Sequence, residues 1–239
     1  MRLAAIVVCV SIVAPAEFVL AQGVDIDVGL SVQNGRLVTG EFADPPGILT
    51  PGERVFGGEM SLLGGAVFGD EPGFRAFAGT FSSTGTLTVQ FRSAMRVWSG
   101  GNFNTLAAPL QLNAQLAGGA ISVFTPLTDP ANPDTGPLPG FTFDVNPLDQ
   151  LHEHADLFLV SSALNPPPIP EGLYLVELQT VTTVPGIDRS LPFWIVFNYG
   201  MSEPEHDAAI AYVRTNLVPA PGAAALAGLG LFAARRRRR

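Results

Sequence analysis

Ten residues near the start of the chain constrain its fold more than any other feature. Val24, Ile26, Val28, Leu30 and Val32 alternate with Asp25, Asp27, Gly29, Ser31 and Gln33. A period of two suits a strand with one buried face and does not fit a helical stripe. Asn34-Gly35 follows, the pair that accepts the two positive φ angles of a type I′ turn, and 36–39 begins the return strand. The remaining chain repeats this theme of short apolar runs cut by turn residues. With Gly 26 and Pro 21 in 239 residues, turns are plentiful and long helices are disfavoured.

Further strand-like runs lie at 74–81 and 86–92, where Ser82-Ser83-Thr84-Gly85 predicts a second hairpin. Others lie at 94–98, 110–116, 120–124, 141–145, 154–160, 173–181 and 193–198. No βαβ alternation and no fixed repeat appears, which argues against a parallel doubly wound sheet. The segments 44–52 and 165–172, rich in Pro and Gly, read as loops. One helix is expected over 203–216. Ser202 and Glu205 fit a capping box, Pro204 falls in the tolerant first turn, and Ala209, Ile210 and Val213 share a face. The expected fold is a mainly β, antiparallel sandwich or jelly-roll-like single domain over 22–217, closed by that helix on a sheet edge or face.

The two ends read differently. Residues 1–21 have a positive start at Arg2, an apolar run and small residues at Val19-Leu20-Ala21, the pattern of a secretory signal peptide with Gln22 as the new N-terminus. Cys9, the single cysteine, lies inside it, so the exported body carries no disulfide and no thiol chemistry. At 218–239, Pro219, Pro221 and Gly222 precede an apolar stretch, and Arg235, Arg236, Arg237, Arg238 and Arg239 follow it. An apolar segment bounded by arginines reads as a membrane-directed helix with its basic end cytoplasmic and the body outside. Without both ends the body keeps seven arginines against 20 acidic residues, a net charge near −13. That balance excludes a nucleic-acid partner, which needs positive potential.

The chemistry-bearing residues are few. Gly-x4-Gly-Lys phosphate loops are impossible in a chain without lysine. No Gly-x-Ser-x-Gly elbow is present, so nothing points to nucleophilic catalysis and the expectation is that the protein is not an enzyme. Of three histidines, His152 and His154 flank Glu153. On a strand, positions i and i+2 share a face, so both imidazoles could reach one divalent metal, with His206 as a third ligand. The competing reading is that these histidines cap turns. Asp129, Asn132 and Asp134 form an oxygen-rich loop of calcium-binding composition, although its two prolines also suit an ordinary Asx/Pro turn. Trp98 and Trp194 sit in apolar runs, where core packing competes with sugar stacking.

The tail resembles the PEP-CTERM sorting signal, with its Pro-x-Pro motif, Gly/Ala/Leu-rich helix and arginine cluster. Ala220 stands where that family usually has Glu. The resemblance covers 218–239 and implies recognition by an exosortase-type processing enzyme, with transfer to the cell surface or extracellular matrix. Residues 151–217 also resemble a pattern in exported proteins with such tails, through the His-x-His element, Gly172-Leu173-Tyr174 and Pro192-Phe193-Trp194. That likeness implies shared architecture and no particular activity. The sequence therefore predicts an exported surface or matrix protein with a structural or interaction role. The alternative is an extracellular metal- or glycan-binding module built on the His-x-His strand. Its expected partners are the processing enzyme, the membrane before processing, and extracellular polysaccharide or matrix.

Overall fold

Residues 25–219 are described by the computed structural model. The hairpin read from the sequence is its first feature. Strands β1 (Asp25–Gln33) and β2 (Arg36–Asp44) pair antiparallel from Asp25↔Asp44 to Gln33↔Arg36. Asn34 and Gly35 turn between them at φ 50° and 74°. The chain continues through β3 (Ile48–Pro51), β4 (Val55–Leu63), β5 (Ala66–Gly69), β6 (Phe74–Ala76), β7 (Gly85–Phe91), β8 (Arg96–Val97) and β9 (Thr105–Leu106). Then come β10 (Leu110–Leu116), β11 (Ile121–Phe124), β12 (Gly140–Val145), β13 (Leu151–Glu153) and β14 (Asp156–Ser161). The last strands are β15 (Gly172–Thr182) and β16 (Phe193–Tyr199), followed by helix α1 (Glu203–Asn216).

The protein is thus mainly β, with sandwich-like sheets and one C-terminal helix. One sheet has five strands in the order β13-β6-β1-β2-β3; the other has eleven, along β11-β10-β14-β5-β4-β16-β15-β7-β12 with β8 beside β15 and β9 beside β8. Between them lies the main core, to which Val28, Leu30, Phe74, Leu87, Val89, Phe91, Phe141 and Leu112 contribute. In β7 the expected alternation holds: Leu87, Val89 and Phe91 are buried while Thr88 and Gln90 are half-buried.

Three expectations change. Residues 74–81 and 86–92 do not form a hairpin, because β6 ends at Ala76 and pairs with β1 and β13, while β7 belongs to the other sheet. The connecting chain crosses between layers and buries Phe81 in the core. Second, the 44–52 loop contains β3, which pairs with β2. Third, the sheets are not wholly antiparallel, since β6 runs parallel to β1 and β4 parallel to β16. The sequence reading did not single out β4, whose alternation is interrupted by Gly57 and Gly58. Its two neighbours β5 and β16 hold it in place, an instance of pairing overriding local propensity.

Helix α1 has the bounds expected from its capping signal. The Glu205 carboxylate accepts hydrogen bonds from the Ser202 hydroxyl at 2.8 Å and, more weakly, the Ser202 N–H at 3.4 Å. Ala209 and Val213 are fully buried against a second core on the outer face of the large sheet, made by Val55, Leu173, Leu175, Trp194 and Val196. The helix therefore covers a sheet face, and the two tryptophans pack in this layer. Leu217 and Val218 pack on it too, and Pro219 is exposed. No helix among the described residues is long and apolar enough to cross a membrane. The expected signal peptide at 1–21, the apolar tail segment, Pro221, Gly222, Arg235, Arg236, Arg237, Arg238 and Arg239 lie outside the described residues.

Candidate functional sites

Cross-strand register assembles the first site on the outer face of the five-stranded sheet. Gly40 opposes Gly29, Gly29 opposes Arg75, and Arg75 opposes His152, so these four share one face across β2, β1, β6 and β13. Asp27 lies two residues before Gly29 on that face, opposite Phe42. His154 lies just beyond β13, two residues after His152. The i, i+2 argument thus brings the two imidazoles together. Their Nε2 atoms stand 2.9 Å apart, a separation that calls for one proton between them.

Arg75 occupies the centre. Its guanidinium meets the Asp27 carboxylate through Nε at 2.7 Å, off the line of a straight hydrogen bond, and meets Asp44 through Nη1. Nη2 lies 2.9 Å from His152 Nε2. Because the guanidinium is always protonated, Nη2 donates and His152 Nε2 accepts. Asp27, with no exposed surface, also accepts the Gly73 N–H at 2.8 Å. Phe42 lies under the guanidinium, 5.1 Å from ring centre to Cζ. His154 Nδ1 is 3.0 Å from the Asp70 carbonyl and 3.4 Å from a Glu71 oxygen. Gly73 is required here by space, since a Cβ on it would come within 2.5 Å of His154 Cε1 and 2.7 Å of Asp27 Oδ1.

Asp27, His152 and His154 have ligand atoms within 4.8 Å of one another, as a metal site needs. Arg75, however, already takes the Asp27 charge and shares the His152 Nε2 lone pair with the proton on His154 Nε2, the two features a cation would use. The cluster is a guanidinium-centred network, and at its margin it opens onto a groove of about 510 Å³. Phe42, Phe77, Asp44, Gln150, Arg75 and His152 line that groove.

His206 is not part of this cluster. Helix α1 carries it to the opposite layer, where it joins Glu59 of β4 and Glu203 of α1, again within 4.8 Å. The imidazole is 4 % exposed, with Nε2 2.9 Å from the Val196 carbonyl and Nδ1 3.0 Å from Glu59 Oε1.

The oxygen-rich loop is taken up by arginines. Asp129 accepts from the Ala94 N–H at 3.1 Å and Arg96 at 2.5 Å, and Asp134 pairs with Arg92 at 2.8 Å. Arg92, 6 % exposed, also holds Glu177 and Gln179 at 3.0 and 2.9 Å. The loop is thereby fastened to β15, a structural use of its carboxylates. Of the tryptophans, Trp194 is 6 % exposed with Arg54 over its ring at 5.2 Å, and Trp98 packs on Phe103 and Tyr212 at 5.0 and 5.4 Å.

Sequence reasoning missed Asp27, Arg75, Glu59 and Glu203 as partners of the histidines. Asp27 sat on the polar side of an amphipathic strand, where a solvent-facing carboxylate is the ordinary reading. Arg75 sits inside the apolar run 74–81, a signal that could have marked it as a buried charge needing partners. No family model matches the chain, and no curated protein matches it either.

Proposed function

We propose that the protein is an exported cell-surface or extracellular-matrix component with a structural or interaction role, sorted by a PEP-CTERM-like tail, and not an enzyme. The observation that carries the reading is where the folded body closes. Leu217 and Val218 pack on the helix-covered face, and Pro219 emerges exposed as the first proline of the Pro219/Pro221/Gly222 motif. The expected tail thus begins where the described body, with its sandwich-like sheets, has its last packed residues. An exosortase-type enzyme would act on that exposed junction while the apolar stretch and the five arginines hold the precursor in the membrane. The acidic body suits solubility outside the cell. Two buried arginines serving as hubs for carboxylates fit a scaffold better than a reactive site.

Terminal mapping by mass spectrometry, on protein recovered from the native envelope and medium, tests this. A mature form that begins near Gln22 and ends before Arg235 is the expected result. An intact arginine tail throughout the membrane fraction would overturn sorting and leave a permanent anchor.

The groove beside His152 favours a second reading, a glycan-binding module on the His-x-His strand. Phe77, 45 % exposed and tilted against Phe42 with ring centres 5.2 Å apart, supplies an apolar wall. Asp44, Gln150 and His152 supply the polar groups that recognise sugar hydroxyls. Retention on immobilised polysaccharide from the native matrix, lost in Phe77→Ser and in the His152→Ala/His154→Ala double variant, is the expected behaviour. Equal retention of both variants removes this reading.

A further inference from the structure

We propose that Glu59, Glu203 and His206 form a divalent-cation site of zinc type, joining the first turn of α1 to β4. The inference goes beyond the export reading and does not depend on it, since terminal processing and metal content are measured separately. It also moves the metal away from the His152/His154 pair.

Hydrogen-bond accounting at His206 carries the argument. The Val196 carbonyl can only accept, so Nε2 bears a proton and donates at 2.9 Å. The neutral ring then presents the Nδ1 lone pair outward, 3.0 Å from the acceptor oxygen of Glu59. Two acceptors facing each other require a cation between them, either a proton on the imidazole or a metal ion. A ring nitrogen held by a carbonyl on its far side is also how metal-binding histidines are usually oriented.

The ring's seat is built for it. A Cβ on Gly57 would stand 3.1 Å from His206 Cε1 and 3.2 Å from Ile210 Cδ1, so the imidazole lies against bare backbone of β4. Among the described residues, the charged groups gathered on it are the carboxylates of Glu59 and Glu203. Besides His206, Glu59 receives among the described residues only a long contact from Asn198 Nδ2 at 3.4 Å. Glu203 has no ion pair or hydrogen bond among the described residues. No arginine pairs with either carboxylate among the described residues, in contrast to the Asp27 cluster with Arg75 at its centre. With a neutral imidazole the two carboxylates have no cation paired with them among the described residues. Both carboxylates are exposed, which leaves them free to close on an ion and leaves room for water in the remaining positions. One imidazole nitrogen with two carboxylate oxygens suits zinc or manganese; calcium prefers oxygen alone.

The test uses the full-length, tag-free chain stripped by a chelator and titrated with zinc, manganese or calcium chloride. The expected result is one zinc per chain at micromolar concentration, weaker calcium binding and a raised melting temperature. X-ray absorption should show a single nitrogen among light-atom ligands. Glu59→Gln/Glu203→Gln, both on the surface and sparing the His206 seat, should weaken zinc binding by ~10-fold or more. The His152→Ala/His154→Ala variant should bind zinc as the parent does. No zinc uptake, uptake unchanged in the Glu59/Glu203 variant, or uptake lost in the His152/His154 variant would each overturn the proposal.

Discussion

At the scale of single residues, the absence of lysine shapes the interior. Every side-chain cation other than histidine is an arginine, and Arg75 and Arg92 are buried at 7 % and 6 % exposure. A planar guanidinium can satisfy several acceptors at once, which the compact ammonium of lysine does less well. Arg75 therefore stabilises Asp27, Asp44 and His152 together, and its loss strands the fully buried Asp27 charge. Arg75→Met is expected to cost about 3–5 kcal/mol in urea unfolding, and adding Asp27→Asn to it should recover a large part. If Arg75→Met changes stability by less than about 1 kcal/mol, the ion pair does not hold the sheet as described. His152 and His154 were legible as a pair from spacing alone, because the two-residue period of a strand is a local property. Their partners were not legible. Asp27 is 125 residues away from His152 in the chain, and only the parallel docking of β6 on β1 brings Arg75 between them.

At the scale of elements, agreement follows the range of the forces involved. The β1–β2 hairpin and helix α1 appear where turn and capping chemistry placed them, since both signals act within four residues. Strands β4 and β6 depended on partners distant in the chain and were missed or misassigned. Strand β15 shows a local device with a pH consequence. The buried Tyr174 donates to the Pro170 carbonyl at 2.6 Å and so ties the Pro-rich loop to the start of the strand. Burial, reinforced by the neighbouring Tyr199, pushes its phenol from 10.0 up to about 12. The neutral phenol is favoured in the fold, so this contribution is whole below pH 10 and is lost as pH rises through 12. Stability measured by denaturant should fall above pH 10 by up to ~1.4 kcal/mol per unit, with a shallower fall in Tyr174→Phe. Equal slopes in the two proteins would show that Tyr174 does not titrate late.

At the scale of the whole molecule, the acidic body predicts how it behaves towards other polymers. With a net charge near −13 over 22–217, it should pass through an immobilised polyanion such as heparin at low salt. Retention that disappears on raising the salt would reveal a basic face that the composition hides. The closure of the two sheets, with α1 laid over the outer face of β4 and β16, fixes which histidines can meet. The His-x-His strand lies on one layer and the helix on another, so His206 takes Glu59 and Glu203 as neighbours in place of His152 and His154. By itself the chain's order of residues determined the mainly β character, the first hairpin, the helix and its caps, and the pairing of His152 with His154. All of these rest on periodicity and on contacts a few residues long. The tertiary structure decided the parallel pairs, the crossing between sheets after Ala76, the guanidinium at the centre of one cluster and the carboxylates of the other. Those depend on which distant strands share an edge, and that choice is made by burying one common core, not by any local segment.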